Sequence, residues 1–363
     1  MGTSGKKTRP VIYLKRRSHS MNNQLRILAL EVTSTCPLQC RHCRGSCTQQ
    51  GITNELNIHE IENLFANISS FAAPLVIITG GEPLARKDIF DIIEIGNKYK
   101  LPMALATCGW YMDRQKALAF KQLGIKRISL SMDAFDQEGH DAFRGIIGSY
   151  AKVREAAGIL NEIGLDFQIN TTISNLNWQT IPQIVDTVTE LKACAWHPFI
   201  LVPTGRGKTI NNLCLEKDQY RQALLSIKEL QHHSQLQIKP TCAPYYARLN
   251  SNNYNNSVKT NTLHSFTRGC LGGINFAFIS SRGKVQICGF LDIEAGDLRN
   301  TGFKLDTIWN HSQLFTQLRN RDNYKGKCGK CGSHNICGGC RSRAYYETND
   351  FLESDSSCFF LEG

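Results

Sequence analysis

The chain has 363 residues, enough for one large domain and a smaller one, each able to bury a core of its own. Hydrophobic residues at 41% and charged residues at 20% are ordinary for a folded protein and argue against widespread disorder. No apolar run approaches the roughly 20 residues that span a bilayer, which excludes a helical membrane protein as a reading. The formal net charge of +11 suggests an anionic partner such as nucleic acid, acidic lipid or a polycarboxylate. Part of it is local: Lys6, Lys7, Arg9, Lys15, Arg16 and Arg17 form a basic extension over 1–24 that reads as a solvated tail.

That extension lacks the apolar stretch of a secretory signal, so the expected location is the cytoplasm. There the reducing poise keeps thiols unpaired, and fifteen cysteines point to metal binding rather than a disulfide framework.

From 25 to about 235, short apolar runs alternate with helical periodicity, the pattern of parallel strands linked by helices. Strands are predicted at Ile27–Val32, Leu75–Thr79, Met103–Thr107, Arg127–Met132, Phe167–Thr171 and Trp196–Leu201, with helices including Asp88–Lys98, Arg114–Gly124, Tyr150–Gly164 and Ile181–Leu191. Six such units make an α/β fold, a partial (βα)6 barrel of TIM-like type, whose chemistry belongs at the C-terminal ends of its strands. A connecting region over 236–269 contains a polar stretch, Asn250–Asn256, with the look of a surface loop. From Cys270 regularity is lost, and seven cysteines occur among Gly, Lys and Asn. A segment over 270–363 with so little apolar sequence is expected to fold around metal.

Immediately after the first predicted strand stand Cys36, Cys40 and Cys43, spaced C-x-x-x-C-x-x-C. A cubane needs four iron ligands, so three cysteines leave one iron open for a substrate or cofactor. A structural zinc site would need a fourth ligand, with His42 or Cys47 nearest. The second predicted strand runs into Gly80-Gly81-Glu82-Pro83, where two glycines let a backbone edge approach a ligand and a carboxylate can receive an ammonium group.

Together these two motifs resemble the radical S-adenosylmethionine superfamily. The resemblance implies a 4Fe-4S cluster on Cys36, Cys40 and Cys43, with S-adenosylmethionine chelating the open iron and its amino group held by Gly80, Gly81, Glu82 and Pro83. It places Ser129, Ser131 and Asn170 near the ribose and Arg144 near the methionine carboxylate. The family's Thr-Asn-Gly segment reads Thr107-Cys108-Gly109 here, so Cys108 is left without a role.

Towards the C-terminus Cys270, Gly283 and Cys288 precede Cys328, Cys331, Cys337, Cys340 and Cys358, a pattern that looks like the SPASM extension of radical maturases. Only Gly338 and Gly339 separate Cys337 from Cys340, one residue fewer than the family pattern. By resemblance, Cys328, Cys331, Cys337 and Cys358 hold one auxiliary 4Fe-4S cluster. Cys270, Cys288 and Cys340 belong to a second, lacking an obvious fourth ligand, for which Cys242, substrate or water are the options.

Longer segments, among them Ala195-Trp196-His197, Leu201–Arg206, Thr241–Pro244, Thr267–Gly273 and Cys337–Arg341, are similar to one branch of the superfamily, the iron-coproporphyrin decarboxylases that form haem b. That branch implies oxidative decarboxylation of two propionates of a tetrapyrrole, iron-coproporphyrin III, with an electron donor such as ferredoxin or flavodoxin and an auxiliary cluster as electron outlet. Four propionates call for cations, and Arg206, Arg248, Arg268 and Arg341 are the candidates. His197 is a candidate ligand of the porphyrin iron. The rival readings are a sister enzyme acting on a siroheme derivative, a peptide maturase, and a zinc-stabilised nucleic-acid binder. The last lacks an aromatic-interleaved basic stripe and a zinc-finger His pair.

Overall fold

The computed structural model describes residues 23–250 and 269–360. Most of the basic N-terminal extension, the Asn-rich stretch after Asn250 and Arg268 lie outside the described residues.

Parallel strands follow one another as β1 (Ile27–Glu31), β2 (Leu75–Thr79), β3 (Met103–Thr107), β4 (Ile128–Ser131), β5 (Phe167–Ile173), β6 (Ala195–Ile200) and β7 (Gln237–Ile238). The six predicted strands are present, with β5 extended to Ile173 and the short β7 added beyond them. Their connections are α1 (Ile58–Phe71), α2 (Ile89–Lys98), α3 (Arg114–Gln122), α4 (Gln137–Arg144), α5 (Ser149–Ile163), α6 (Ile181–Glu190) and α7 (Lys217–His233). Local sequence explains several ends. Asn57 and Glu60 close a reciprocal capping box on α1, and Asp113 and Asp136 cap α3 and α4 through Lys116 N and Gly139 N.

Along each strand the outward residues pack on the helices while the inward ones face the barrel axis. Leu28, Leu30, Val76, Ile78, Leu105, Leu130, Ile169 and Trp196 are buried on the helical side. Their neighbours Thr79, Ala106, Ser131, Asn170, Thr172, His197 and Phe199 are only half-buried and line the concave face.

The sheet does not stop at the barrel. Strand β8 (Phe276–Ile279) pairs parallel with β1, and β9 (Lys284–Gln286) and β10 (Gly296–Asp297) extend it antiparallel, giving the order β10-β9-β8-β1-β2-β3-β4-β5-β6-β7. The expected loss of regularity after Cys270 is therefore corrected. A four-residue apolar strand is too short to declare a period in sequence, and its partner β1 lies about 250 residues upstream. Helices α8 (Tyr245–Leu249), α9 (Leu305–His311), α10 (Gln313–Arg319), α11 (Gly326–Lys330) and α12 (Arg341–Thr348) complete this half. It also has an apolar core: Trp309 and Phe315 pack edge to face at 5.2 Å among Leu305, Leu314 and Leu318, and the Trp309 indole donates to the Asn23 carbonyl at 2.8 Å. Among the described residues, no helix is long and apolar enough to cross a membrane.

Candidate active site and cysteine clusters

The loop leaving β1 carries Cys36, Cys40, Cys43 and Cys47, packed against Cys108, Trp110 and Ile146 at the C-terminal mouth of the barrel. Its backbone is held by the far side of the same loop and by the C-terminal end of α4. Cys36 N donates to Thr48 O at 2.8 Å, Gln39 N to Arg144 O at 3.2 Å, and Arg41 N to Phe143 O at 3.0 Å. Burial pushes the Cys36 thiol up to about 12 and raises Cys40 as well, so these thiols keep their protons until a metal replaces them. Cys43 is drawn down, first by a hydrogen bond from the Cys47 thiol and further by the Arg206 and Arg44 cations.

Gly81 explains why the second motif follows β2. Its amide donates to Thr33 O at 2.6 Å, and a Cβ there would lie 2.5 Å from Thr35 O and 2.9 Å from Cys36 Cβ. Gly80-Gly81 thus seats the strand end directly on the cysteine loop. Glu82 is fully buried. Its carboxylate accepts from Thr107 Oγ1 at 2.7 Å, Leu84 N at 3.0 Å and Cys108 N at 2.7 Å, tying β2 to β3, while burial raises its pKa. Two of these donors fall on Oε1 and one on Oε2, so Oε2 keeps acceptor capacity, and Pro83, also buried, starts the following turn.

Arg144 is likewise engaged. Its Nε lies 2.7 Å from Asp133 Oδ2, a contact of charge rather than an aligned hydrogen bond, and its Nη1 is 3.7 Å from Cys40 Sγ. Burial opposes both charges, yet each holds the other ionised, Asp133 below and Arg144 above its ordinary range. His42 stacks on Phe143 at 4.4 Å, and burial takes it down to about 4, leaving it neutral beside this pair. Ser131, Asn170 and His197 stand opposite one another on β4, β5 and β6, with Ser129 and Gln168 one step below. The Gln168 amide nitrogen bridges Asn170 Oδ1 at 2.9 Å and His197 Nδ1 at 3.0 Å, which orients the imidazole.

Eight of the other ten cysteines form two groups, with Cys194 and Cys214 apart from both. Cys328, Cys331, Cys337 and Cys358 line one small cavity with His334, Tyr245 and Arg248. Cys242 lies within electrostatic range of Cys340, Cys288 and Cys270, so the residue that spacing offered only as one option stands with the second group. Its backbone has φ 54, an uncommon left-handed geometry for a non-glycine residue. The groups adjoin, since Cys270 N donates to Cys337 O at 3.3 Å. The shortened Cys337–Cys340 spacing is met by left-handed geometry at both Gly338 and Gly339, where a Cβ on Gly339 would lie 2.6 Å from Arg341 Nη2. No group of three or more His, Cys, Asp or Glu among the described residues surrounds a single metal-ion position. A cubane asks something different, one thiolate on each of several irons, and sets of three and four cysteines suit that donor chemistry.

Two of the four arginines expected on substrate are committed elsewhere. Arg206 donates from Nε to Cys40 O at 3.0 Å and from Nη1 to Cys47 O at 2.6 Å, clamping the cysteine loop. Arg341 is 1% exposed, donates to the carbonyls of Phe351 and Glu353, and places Nη2 3.6 Å from Cys328 Sγ. Arg248 packs over Phe360 at 4.1 Å beside the cavity of the first cysteine group. A residue missed in sequence is Arg343, buried and paired with Asp355, whose carboxylate accepts from Cys340 N at 2.7 Å. Its ordinary Arg-Ser-Arg context gave no signal.

A three-cysteine loop at the mouth of a partial barrel, with two further cysteine groups behind it, defines a radical enzyme of the S-adenosylmethionine class with an auxiliary-cluster domain. Residues 30–188 match the Radical SAM superfamily model, and residues 270–332 match the SPASM iron-sulfur cluster-binding domain. The chain is 38% identical to an AdoMet-dependent heme synthase of Methanosarcina barkeri, covering 95% of this chain and 99% of that one. It is 34% identical to a protein of the same name from Nitratidesulfovibrio vulgaris, with 92% of each chain covered. The fold resembles SuiB of Streptococcus suis at a TM-score of 0.70 and 17% identity, covering 93% of this chain and 77% of that one. It resembles anSMEcpe with bound AdoMet at 0.65 and 18%, covering 92% and 94%. The chain belongs to the radical SAM superfamily, in the SPASM-bearing group that includes the AdoMet-dependent heme synthases. It is accordingly an enzyme whose cofactors are S-adenosylmethionine, a 4Fe-4S cluster and auxiliary iron-sulfur centres.

Proposed function

We propose that this enzyme converts two propionates of iron-coproporphyrin III to vinyl groups, producing haem b. The observation that carries the reading is the 38% identity over nearly the whole length of a relative named AdoMet-dependent heme synthase. In this reading Cys36, Cys40 and Cys43 hold the catalytic cluster, Cys328, Cys331, Cys337 and Cys358 one auxiliary cluster, and Cys242, Cys270, Cys288 and Cys340 a second.

The bound cofactor supplies a 5′-deoxyadenosyl radical able to take a hydrogen atom. Removing that hydrogen from the propionate carbon beside the ring, releasing carbon dioxide and passing one electron to an oxidised auxiliary cluster, the proposed outlet, would leave a vinyl group. The chain's own residues prepare this step. Arg144 directs a cation at Cys40 Sγ, Gly80-Gly81 offers a backbone edge beside the cysteine loop, and Ser129, Ser131 and Asn170 present polar groups inside the barrel. His197, oriented by Gln168, is the candidate ligand of the substrate's iron. Ferredoxin or flavodoxin is the class of electron donor proposed.

The test is anaerobic turnover of the reconstituted enzyme with reductant, S-adenosylmethionine and iron-coproporphyrin III, followed by mass spectrometry. Loss of two carboxyl groups that disappears in Cys40→Ala supports haem synthesis. Formation of 5′-deoxyadenosine with the porphyrin intact would retain the radical chemistry and reject the substrate.

A further inference from the structure

With Arg206 and Arg341 committed to the scaffold, the substrate's carboxylates need another cation inside the barrel. The sheet register points to one. Trp196 on β6 stands opposite Ile238 on β7, and the next amide, Lys239 N, donates to Trp196 O at 3.0 Å. Lys239 therefore continues the row Ser131, Asn170, His197 across the last strand. Because Trp196 and Ile238 are buried on the helical side, strand alternation turns Lys239 to the same inner face as His197. The bridge between Phe199 and Thr241, two residues further on, keeps the strands in the same register.

An ammonium in that position is unusual. Lys239 is mostly buried, and among the described residues no acidic side chain pairs with it. Burial alone acts on it and lowers its pKa. Other partly buried cations near the mouth have carboxylates: Arg44 has Glu31 at 3.0 Å and Arg144 has Asp133 at 2.7 Å. Burying a charge without a counter-ion is costly, and the cost is recovered when an anion arrives. A lysine left so, one strand from an inward histidine, is arranged to meet a carboxylate belonging to a ligand.

We propose that Lys239 is a substrate-binding residue that pairs with a propionate carboxylate of the tetrapyrrole, setting which edge of the macrocycle faces β6 and β7. This rests on the haem-forming reading and deepens it. The ligand chemistry is a carboxylate on a planar, iron-bearing ring whose metal lies towards His197.

The experiment titrates reconstituted holoenzyme anaerobically with iron-coproporphyrin III and with its tetramethyl ester, following the Soret band. Wild type, Lys239→Gln and Lys239→Arg are compared, with iron content and visible absorption confirming intact clusters. Loss of one charge-assisted hydrogen bond predicts roughly 10- to 100-fold weaker binding of the free acid to Lys239→Gln. Lys239→Arg should recover most of it, and the ester should bind all three proteins alike. In turnover the change should fall on KM more than on kcat. If wild type binds the acid and Lys239→Gln binds it equally well, the inference fails while the haem reading stands. If ester and acid suffer the same loss, Lys239 acts on barrel structure and the inference also fails. A wild-type enzyme that binds no porphyrin overturns the haem reading, and this assignment with it.

Discussion

Arg206 donates its Nε to the main-chain oxygen of Cys40 at 3.0 Å, although 166 residues separate them. The side chain following β6 therefore fixes the loop following β1, so the position of the cysteines depends on the far side of the partial barrel. Charge-assisted hydrogen bonds are worth about 1.5–3 kcal/mol each, so Arg206→Ala should leave the loop poorly ordered. The expected result is a marked fall in iron bound after reconstitution. Molecules that do retain the cluster should bind porphyrin as wild type does. Reduced porphyrin affinity at full iron content would instead return Arg206 to the substrate.

Gly81→Ala tests the seat of the same loop. The added Cβ would sit 2.5 Å from Thr35 O, a backbone atom that cannot step aside without moving Cys36. Visible absorption from the catalytic cluster should be lost while that of the auxiliary centres persists. Wild-type spectra and full S-adenosylmethionine cleavage in this variant would contradict the close packing described.

Cys242 stands with Cys270, Cys288 and Cys340, and Cys242→Ala should lower iron by up to about four atoms per chain, the content of one cubane. Cys214→Ala is the control, because Cys214 packs in a separate apolar cluster with Phe143, Leu201, Ile210 and Leu213. Equal iron in both variants would remove Cys242 from the second group.

Asp141 accepts from Gly148 N at 2.7 Å, Ser149 Oγ at 2.7 Å and Tyr150 N at 2.8 Å, closing the start of α5. Burial opposes its charge, but these donors hold the carboxyl below its usual range. A depressed carboxyl stabilises the fold above its unfolded-state pKa, and that contribution is lost as pH falls through the folded-state value. Asp141→Asn should cost about 1–2 kcal/mol near neutral pH, and the cost should shrink as pH falls below the ordinary aspartate range. Urea denaturation of the cluster-free protein across that range measures the gap. A gap that does not narrow would rule out the ionised cap.

Much of the barrel was legible because its signals are local. Ile27–Glu31 and Met103–Thr107 are apolar runs of strand length, and Asn57 and Glu60 form a capping box three residues apart. Strand β8 escaped because four apolar residues declare no period, and Arg343 because an arginine buried against Asp355 is spelled like one in water. The same limit hid the scaffold contacts of Arg206 and Arg341. Sequence identifies a guanidinium but not whether carbonyls or a ligand will occupy it.

By itself, the sequence determined the resemblance to the radical SAM class, the cysteine inventory and the succession of the six barrel strands, since each depends on residue type and spacing along the chain. Tertiary structure decided which cysteines stand together, which arginines are spent on the scaffold, and that Lys239 shares a face with His197. The physical reason is that hydrogen bonds, ion pairs and desolvation act over a few ångströms of space. Sheet register brings residues within that range however far apart they lie in the chain.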